Sequence, residues 1–117
     1  MFEIVALVLL SQQPLLPVAE GMASYYTTSC GTVTASGERL QDNSMTCAMR
    51  TGEFGDYVLV VAENGNSVVC RINDRGPYVK NRIIDLSRSA MRQLDARAGL
   101  LKVKVYSLGG DAPQGAG

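Results

Sequence analysis

Asn64 and Gly65 lie between two runs rich in β-branched residues, and this arrangement constrains the fold more than any other feature of the sequence. The runs cover residues 57–63 and 67–72. Asn-Gly in this position predicts a β-hairpin, because both residues tolerate the positive φ of a type I′ turn. The twelve glycines, with two phenylalanines and no tryptophan, also favour short strands joined by turns over a helical bundle.

Three further segments have the residue pattern of strands, namely residues 21–28, 81–85 and 101–108. In the last of these, apolar residues alternate with two lysines and a tyrosine, which predicts a half-exposed strand that closes the sheet. Its expected inward residues are Leu101, Val103 and Val105, and its expected outward residues are Lys102, Lys104 and Tyr106.

One helix is predicted after the strand at residues 81–85. Ser87 is suited to cap its N-terminus, and Gly99 is expected to end it after about ten residues. The apolar residues of one face are Ala90, Met91, Leu94 and Ala98. This pattern predicts a structural helix that packs against the sheet.

The 117 residues are enough for one compact domain, which we place at residues 21–108. Residues 1–20 are interpreted as a hydrophobic leader followed by a proline-containing linker, and residues 109–117 as a flexible tail. The apolar run of residues 2–10 is too short to cross a bilayer. Because Glu3 lies where a signal peptide carries positive charge, the sequence leaves open whether this leader is a cleaved signal.

Composition excludes several classes of function. The eleven basic and eleven acidic residues balance, so nucleic acid is not an expected partner. The chain has no histidine, which removes Ser-His-Asp and Cys-His catalysis. Its three cysteines form no CxxC pair, and therefore neither a metal site nor a cofactor is expected.

Cys70 alternates with Val68 and Ile72 and is expected to point inward. Three cysteines allow at most one internal disulfide. If the protein matures outside the cytoplasm, Cys47 is the predicted partner of Cys70.

Four segments appear in an order and spacing that resemble the rare lipoprotein A family: GMASYY, TASGERL, RINDRGPYV and RIIDLSRSAMRQL. The resemblance covers about residues 21–108 and implies a mainly β fold, a six-stranded double-psi β-barrel with one short α-helix. It also implies a lytic transglycosylase that acts on peptidoglycan glycan strands in the bacterial cell envelope. Such an enzyme cuts between N-acetylmuramic acid and N-acetylglucosamine and leaves a 1,6-anhydro end.

The same resemblance implies site residues. Glu38 of TASGER and Asp74 of NDRG match catalytic positions of the family, and Asp85 of IDLS matches a position important in the related expansin branch. Two positions differ, because Gln41 stands where the family usually has aspartate and Met49 where it usually has histidine.

The chemistry of this reaction needs one carboxyl group that first gives and then takes a proton, and Asp74 is the candidate. Arg75 is a candidate for binding sugar hydroxyls or the muramyl lactate, while Tyr25 and Tyr78 could stack on sugar rings. Each also has a structural interpretation. Asp74 suits a turn, Asp85 could stabilise the start of the helix, and the other side chains could be ordinary surface residues.

Two alternatives to the enzyme remain open at this stage. One is a noncatalytic, expansin-like glycan-binding module that uses Asp74 and Asp85 as hydrogen-bonding groups. The other is a component of a phage virion that contacts the cell wall. The sequence does not indicate the oligomeric state.

Overall fold

The computed structural model describes residues 16–27, 31 and 33–110, and this part of the chain contains six strands and one α-helix. The elements are β1 (Ala19–Tyr25), β2 (Thr46–Ala48), β3 (Tyr57–Ala62), β4 (Ser67–Asp74), β5 (Arg82–Leu86), α1 (Arg88–Leu94) and β6 (Leu101–Gly109). Of the predicted leader and linker at residues 1–20, residues 1–15 lie outside the described residues, as do Cys30 and residues 111–117 of the tail predicted at 109–117. Gly109, the first residue of that tail, is the last residue of β6. In the described part, no helix is long and apolar enough to cross a membrane.

The six strands close into a barrel in the order β1-β5-β2-β4-β3-β6, which confirms the predicted fold class. Strands β1 and β5 pair in parallel, as do β2 and β4, and the remaining neighbours are antiparallel. Every strand edge therefore has a partner, and the barrel has one core. Strand β1 begins at Ala19 rather than Gly21, because Ala19 and Glu20 pair with Val105 and Lys104 of β6.

The core is built from the inward residues of every strand together with one face of α1. Val103 and Val105 are buried while Lys102 and Lys104 are exposed, which confirms the predicted alternation of β6. The largest fully buried side chains include Ile72, Ile84, Leu86, Leu94, Val60, Val103 and Val105.

The hairpin between β3 and β4 is confirmed, but its predicted turn type is wrong. Four residues connect the strands, and Gly65 has a positive φ of 90° whereas Asn64 does not. The Gly65 N–H donates to the Ala62 carbonyl at 3.0 Å, and the Asn66 N–H donates to Asn64 Oδ1 at 2.9 Å. A side-chain hydrogen bond of Asn64 thus replaces the left-handed backbone that a type I′ turn would require.

The helix begins as predicted and ends earlier than predicted. The Ser87 hydroxyl accepts a hydrogen bond from the Ala90 N–H at 3.2 Å. At the other end, the side-chain amides of Asn64 and Asn66 both donate to the Leu94 carbonyl at 2.9 Å. Asp95 is extended, so the helix has seven residues and does not reach Gly99.

Cys47 and Cys70 both face the core and are free thiols, so the structure does not contain the predicted disulfide. Cys47 is in register with Ile72 of β4, and Cys70 precedes Ile72 by two residues on the same face. The two thiols are therefore diagonal neighbours. Burial raises the pKa of Cys47 well above its ordinary value, and the hydrogen bond with Cys70 raises it further.

We predict that Cys47 and Cys70 resist thiol-directed reagents in the native protein and react once it is unfolded, because a buried thiol rarely ionises. Peptide mapping after alkylation with and without guanidinium measures this directly. Alkylation of either residue in the native state, or recovery of a disulfide-linked peptide pair without reduction, would contradict the structure.

Replacement of Leu94 by alanine should lower the free energy of unfolding by about 2–5 kcal/mol, because the fully buried side chain leaves a cavity between α1 and the barrel. The neighbouring Gln93 is exposed, so Gln93→Ala is a matched control that should change stability by less than about 0.5 kcal/mol. Urea denaturation followed by circular dichroism measures both. Equal effects of the two substitutions would mean that α1 does not belong to the core.

Candidate active site

Asp74 and Asp85 lie on either side of Ala48. In the register of the sheet, Ala48 pairs with Asp74 of β4 and with Asp85 of β5. Directly paired residues share a face of the sheet, and neighbouring strands are about 4.8 Å apart. The Cα atoms of the two aspartates are therefore separated by about 10 Å, with only a methyl group between the two side chains.

The Asp85 carboxylate is fixed by two donors. The Ser24 hydroxyl, on the paired residue of β1, donates to Asp85 Oδ1. The Arg82 guanidinium forms an ion pair with the same oxygen at 2.5 Å. Ser87 caps the helix, and the first turn of α1 contains no acidic residue. The carboxylate of Asp85 is thus bound within the sheet, and the alternative role at the helix start is not observed.

The Asp74 carboxylate is held by backbone N–H groups. Its Oδ1 accepts from the Arg75 N–H and from the Ala35 N–H, both at 2.9 Å. The first bond belongs to the turn that leaves β4, and the second ties this turn to a distant loop. Within the described residues, no lysine or arginine nitrogen forms an ion pair with Asp74. It differs in this respect from the other two candidate carboxylates.

Glu38 lies in a tight turn that packs on the end of β4. Val33 and Arg39 form an isolated bridge, and Gly37 adopts a positive φ of 90° at the tip. The Ser36 N–H donates to the backbone carbonyl of Asn73 at 3.2 Å. Together with the bond from Ala35 to Asp74, this contact brings the turn carrying Glu38 to the end of the strand that carries Asp74.

The Glu38 carboxylate is paired with Arg71 through two contacts of 2.8 Å, one to each carboxylate oxygen. This two-point hydrogen bond lowers the pKa of Glu38 below its ordinary value, and a hydrogen bond from the Asn73 amide lowers it further. Glu38 is therefore an anion at neutral pH whose charge Arg71 neutralises.

A cavity of about 290 Å³ opens beside this ion pair. It is lined by Glu38, Arg39, Gln41, Ser44, Thr46, Arg71 and Asn73. All of these side chains are polar or charged, which suits a hydrophilic ligand better than an apolar one. In the described part of the chain, no three His, Cys, Asp or Glu side chains come together as a metal site.

The buried side chain of Tyr26 also belongs to this region. Its hydroxyl shares a hydrogen bond of 2.5 Å with Thr46 Oγ1, and both residues are buried. Burial raises the pKa of Tyr26 to about 12, and the nearby negative charge of Asp74 acts in the same direction. The phenol is therefore neutral near Asp74 throughout the physiological range.

Besides Asp85, the predicted substrate-binding side chains are Arg75, Tyr78 and Tyr25, and none of these three lines the cavity beside Glu38. The Arg75 guanidinium donates to the carbonyls of Met49 and Gly52, at 3.2 and 2.6 Å, and lies 4.3 Å from the Phe54 ring centre. Tyr78 is 78% exposed in the loop after β4. Tyr25 lines a separate cavity with residues of α1. Contact of these side chains with a substrate remains a prediction.

The structure shows what surrounds Met49 and Gln41, the two positions that differ from the family pattern. Met49 is buried in the core, and its N–H donates to the backbone carbonyl of Asp74 at 3.2 Å. A thioether there cannot transfer a proton. Gln41 is exposed, and its Oε1 accepts from the Ser44 hydroxyl at 2.9 Å.

The strand order, with Asp74 and Asp85 on the two strands that flank β2, defines a double-psi β-barrel with an acidic, polar surface site. A family model described as lytic transglycolase matches residues 18–105. The chain belongs to this family, in its branch related to the rare lipoprotein A proteins.

The names of two relatives agree with this family assignment. A Treponema pallidum protein named "Probable endolytic peptidoglycan transglycosylase RlpA" is 49% identical over 92 residues, which cover 76% of this chain and 29% of that protein. A Pasteurella multocida protein named "Endolytic peptidoglycan transglycosylase RlpA" is 48% identical over 77 residues, covering 64% of this chain and 26% of that one. The chain thus spans less than a third of the length of these two relatives.

Solved structures with the same fold include an expansin from Clavibacter michiganensis and a papain inhibitor from Streptomyces. The expansin superimposes with a TM-score of 0.62 at 21% identity, over 80% of this chain and 52% of that one. The inhibitor superimposes with a TM-score of 0.59 at 21% identity, over 80% of this chain and 98% of that one. These similarities support the barrel fold.

Replacement of Arg71 by glutamine should raise the pKa of Glu38 toward its ordinary value of 4.5, because the two-point hydrogen bond is its main perturbation. An NMR titration of the glutamate side-chain carboxyl carbons measures this shift. Arg92→Gln, which removes an exposed cation on α1, is the matched control. An unchanged Glu38 pKa in Arg71→Gln would show that the ion pair does not form in solution.

The ion pair between Glu38 and Arg71 should also make the stability of the fold depend on pH. The pKa of Glu38 is lowered in the folded state, so the ion pair contributes to the free energy of unfolding at pH values above the ordinary glutamate pKa. This contribution is lost as the pH falls through the lowered pKa. Both side chains are 35% exposed, so this contribution should be less than about 1 kcal/mol. The wild type should therefore lose slightly more stability than Arg71→Gln on acidification.

Proposed function

We propose that this domain binds peptidoglycan glycan strands and cleaves them as a lytic transglycosylase. The observation that carries the proposal is the arrangement of three carboxylates, in which Glu38 and Asp85 are each paired with an arginine and Asp74 is not. Membership of the lytic transglycolase family and the names of the relatives support the same activity.

Asp74 is the proposed acid and base. In the first half of the reaction its carboxyl group donates a proton to the glycosidic oxygen, and the bond from the anomeric carbon to that oxygen breaks. The C6 hydroxyl of the muramic acid then attacks the anomeric carbon and returns its proton to Asp74. One carboxyl group completes the cycle without a water molecule, and the product has a 1,6-anhydro ring.

Glu38 and Asp85 have binding roles in this proposal. Each is held in place by an arginine, at 2.8 or 2.5 Å, whereas Asp74 forms no ion pair among the described residues, so the proton transfer is assigned to Asp74. The oxygens of Glu38 and Asp85 can accept hydrogen bonds from sugar hydroxyls.

The proposed location is the bacterial cell envelope, where glycan strands are found. A phage virion would present the same domain to the same polymer. Tail genes beside the coding sequence would favour the virion, and cell-shape or wall genes would favour the envelope.

A noncatalytic glycan-binding module is the second candidate. It is favoured by Met49, which gives the site no imidazole, and by the neutralisation of Glu38 by Arg71. Such a module would use Asp74 and Asp85 as hydrogen-bonding groups and would release no product.

Asp74→Asn distinguishes these two functions, because it keeps the hydrogen-bond acceptor for Ala35 and Arg75 and removes the acidic proton. The variant should bind peptide-stripped glycan and produce at least about 100-fold fewer 1,6-anhydromuramyl ends, measured by mass spectrometry. Asp95→Asn, after the end of α1, is the matched control and should retain activity.

Three other results would change the assignment. Binding by the wild type without any product would establish the noncatalytic module. Water-terminated ends in place of anhydro ends would establish hydrolysis. If neither binding nor cleavage is seen, glycan strands are not the substrate.

A further inference from the structure

Asn73 has a buried side-chain acceptor without a partner. The residue is only 3% exposed, and its Oδ1 makes no hydrogen bond within the described part of the chain. Buried polar atoms in folded proteins are almost always paired, because an unpaired one destabilises the fold. An exception beside a polar cavity therefore needs an explanation.

A β-bulge places Asn73 in this position. Cys47 of β2 is in register with Ile72, and Ala48 is in register with Asp74, so Asn73 is the extra residue on β4. Its backbone carbonyl accepts the hydrogen bond from Ser36, which fixes the bulge against the turn that carries Glu38. Bulges commonly redirect a side chain next to a functional site.

In the side-chain amide of Asn73, the nitrogen has a hydrogen-bond partner and the oxygen has none in the part of the chain that the structure describes. Its N–H group faces Glu38 and contributes to the lowered pKa of that carboxylate. This contact defines the orientation of the amide, so the remaining Oδ1 is an acceptor that needs a donor. Asn73 lines the cavity of about 290 Å³, at the lower end of the size of small-molecule sites.

Gln41 is an exposed residue that lines the same cavity, and in its side-chain amide the oxygen is occupied while the nitrogen is available. Its Oε1 is occupied by the Ser44 hydroxyl at 2.9 Å, so its Nε2 group is the part that can interact with a ligand. The cavity thus offers a buried acceptor from Asn73 and a donor from Gln41. A secondary amide, with one N–H and one carbonyl, is the chemical group that matches both.

We propose that this cavity binds the 2-acetamido substituent of a glycan sugar, with Asn73 Oδ1 accepting from its N–H and Gln41 Nε2 donating to its carbonyl. This inference rests on the proposed glycan substrate and assigns the two residues a role in specificity. The Oδ1 atom is closed to solvent in the free protein, so side chains that line the cavity have to move when the acetamido group enters.

The consequence is discrimination between N-acetylated and plain glycans. A site built to pair with an amide disfavours a ligand that lacks it, because the buried acceptor stays unpaired. The wild type should therefore bind a β-1,4-linked hexamer of N-acetylglucosamine at least about tenfold more tightly than the glucose hexamer with the same linkage.

Isothermal titration calorimetry of the full chain with these two hexamers tests the proposal. Gln41→Glu replaces the donor with an acceptor at an exposed position and should reduce the preference by about tenfold. Asn73→Leu removes the buried acceptor and should reduce it similarly. Gln93→Glu, an exposed change of the same charge outside this cavity, is the control and should retain the preference.

A second measurement keeps the test informative if Asn73→Leu fails to fold. In the wild type, the side-chain amide NMR signals of Asn73 and Gln41 should shift on addition of the N-acetylglucosamine hexamer and shift less with the glucose hexamer. Signals that respond equally to both would overturn the assignment to the acetamido group.

The outcomes separate this inference from the proposed function. Equal affinity for the two hexamers, or a preference that survives both substitutions, overturns the acetamido site and leaves glycan binding intact. Failure of the wild type to bind either hexamer or peptidoglycan overturns the proposed function, and the inference with it.

Discussion

The pairing of the three-residue strand β2 with β4 on one side and β5 on the other is the constraint on which the site depends. All three residues of β2 are buried, so the strand can neither slip nor detach without exposing the core. Its register sets the distance between Asp74 and Asp85, and its mismatch with β4 creates the bulge at Asn73.

The acidic residues of the site are of two kinds, because two are paired with an arginine and one is not. Glu38 and Asp85 have arginine partners, and their ion pairs are partly exposed, so they contribute to orientation more than to stability. Asp74 is held by backbone donors alone among the described groups. The site therefore contains two carboxylates held in ion pairs and, among the described residues, one carboxyl group that is in none.

The sequence predicted the parts of this structure that depend on local pattern. Alternation identified β6, the Asn-Gly pair identified the hairpin, and Ser87 identified the start of α1. It did not identify the end of the helix, because the capping amides come from residues 64 and 66. It also missed β2 itself, because three residues are too few to show a period. The links of Arg71 to Glu38 and of Ser24 to Asp85 were missed as well, because they depend on the register of distant strands. Resemblance indicated the three carboxylates, but only the fold shows which have arginine partners.

The capping of α1 by the turn between β3 and β4 has a consequence for how this domain can diverge. Hairpin tips are usually the places where a chain gains or loses residues freely. Here Asn64 and Asn66 both bind the Leu94 carbonyl, so a longer tip would remove the groups that terminate the helix. Length variation should accordingly be excluded from this tip and directed to loops elsewhere on the barrel.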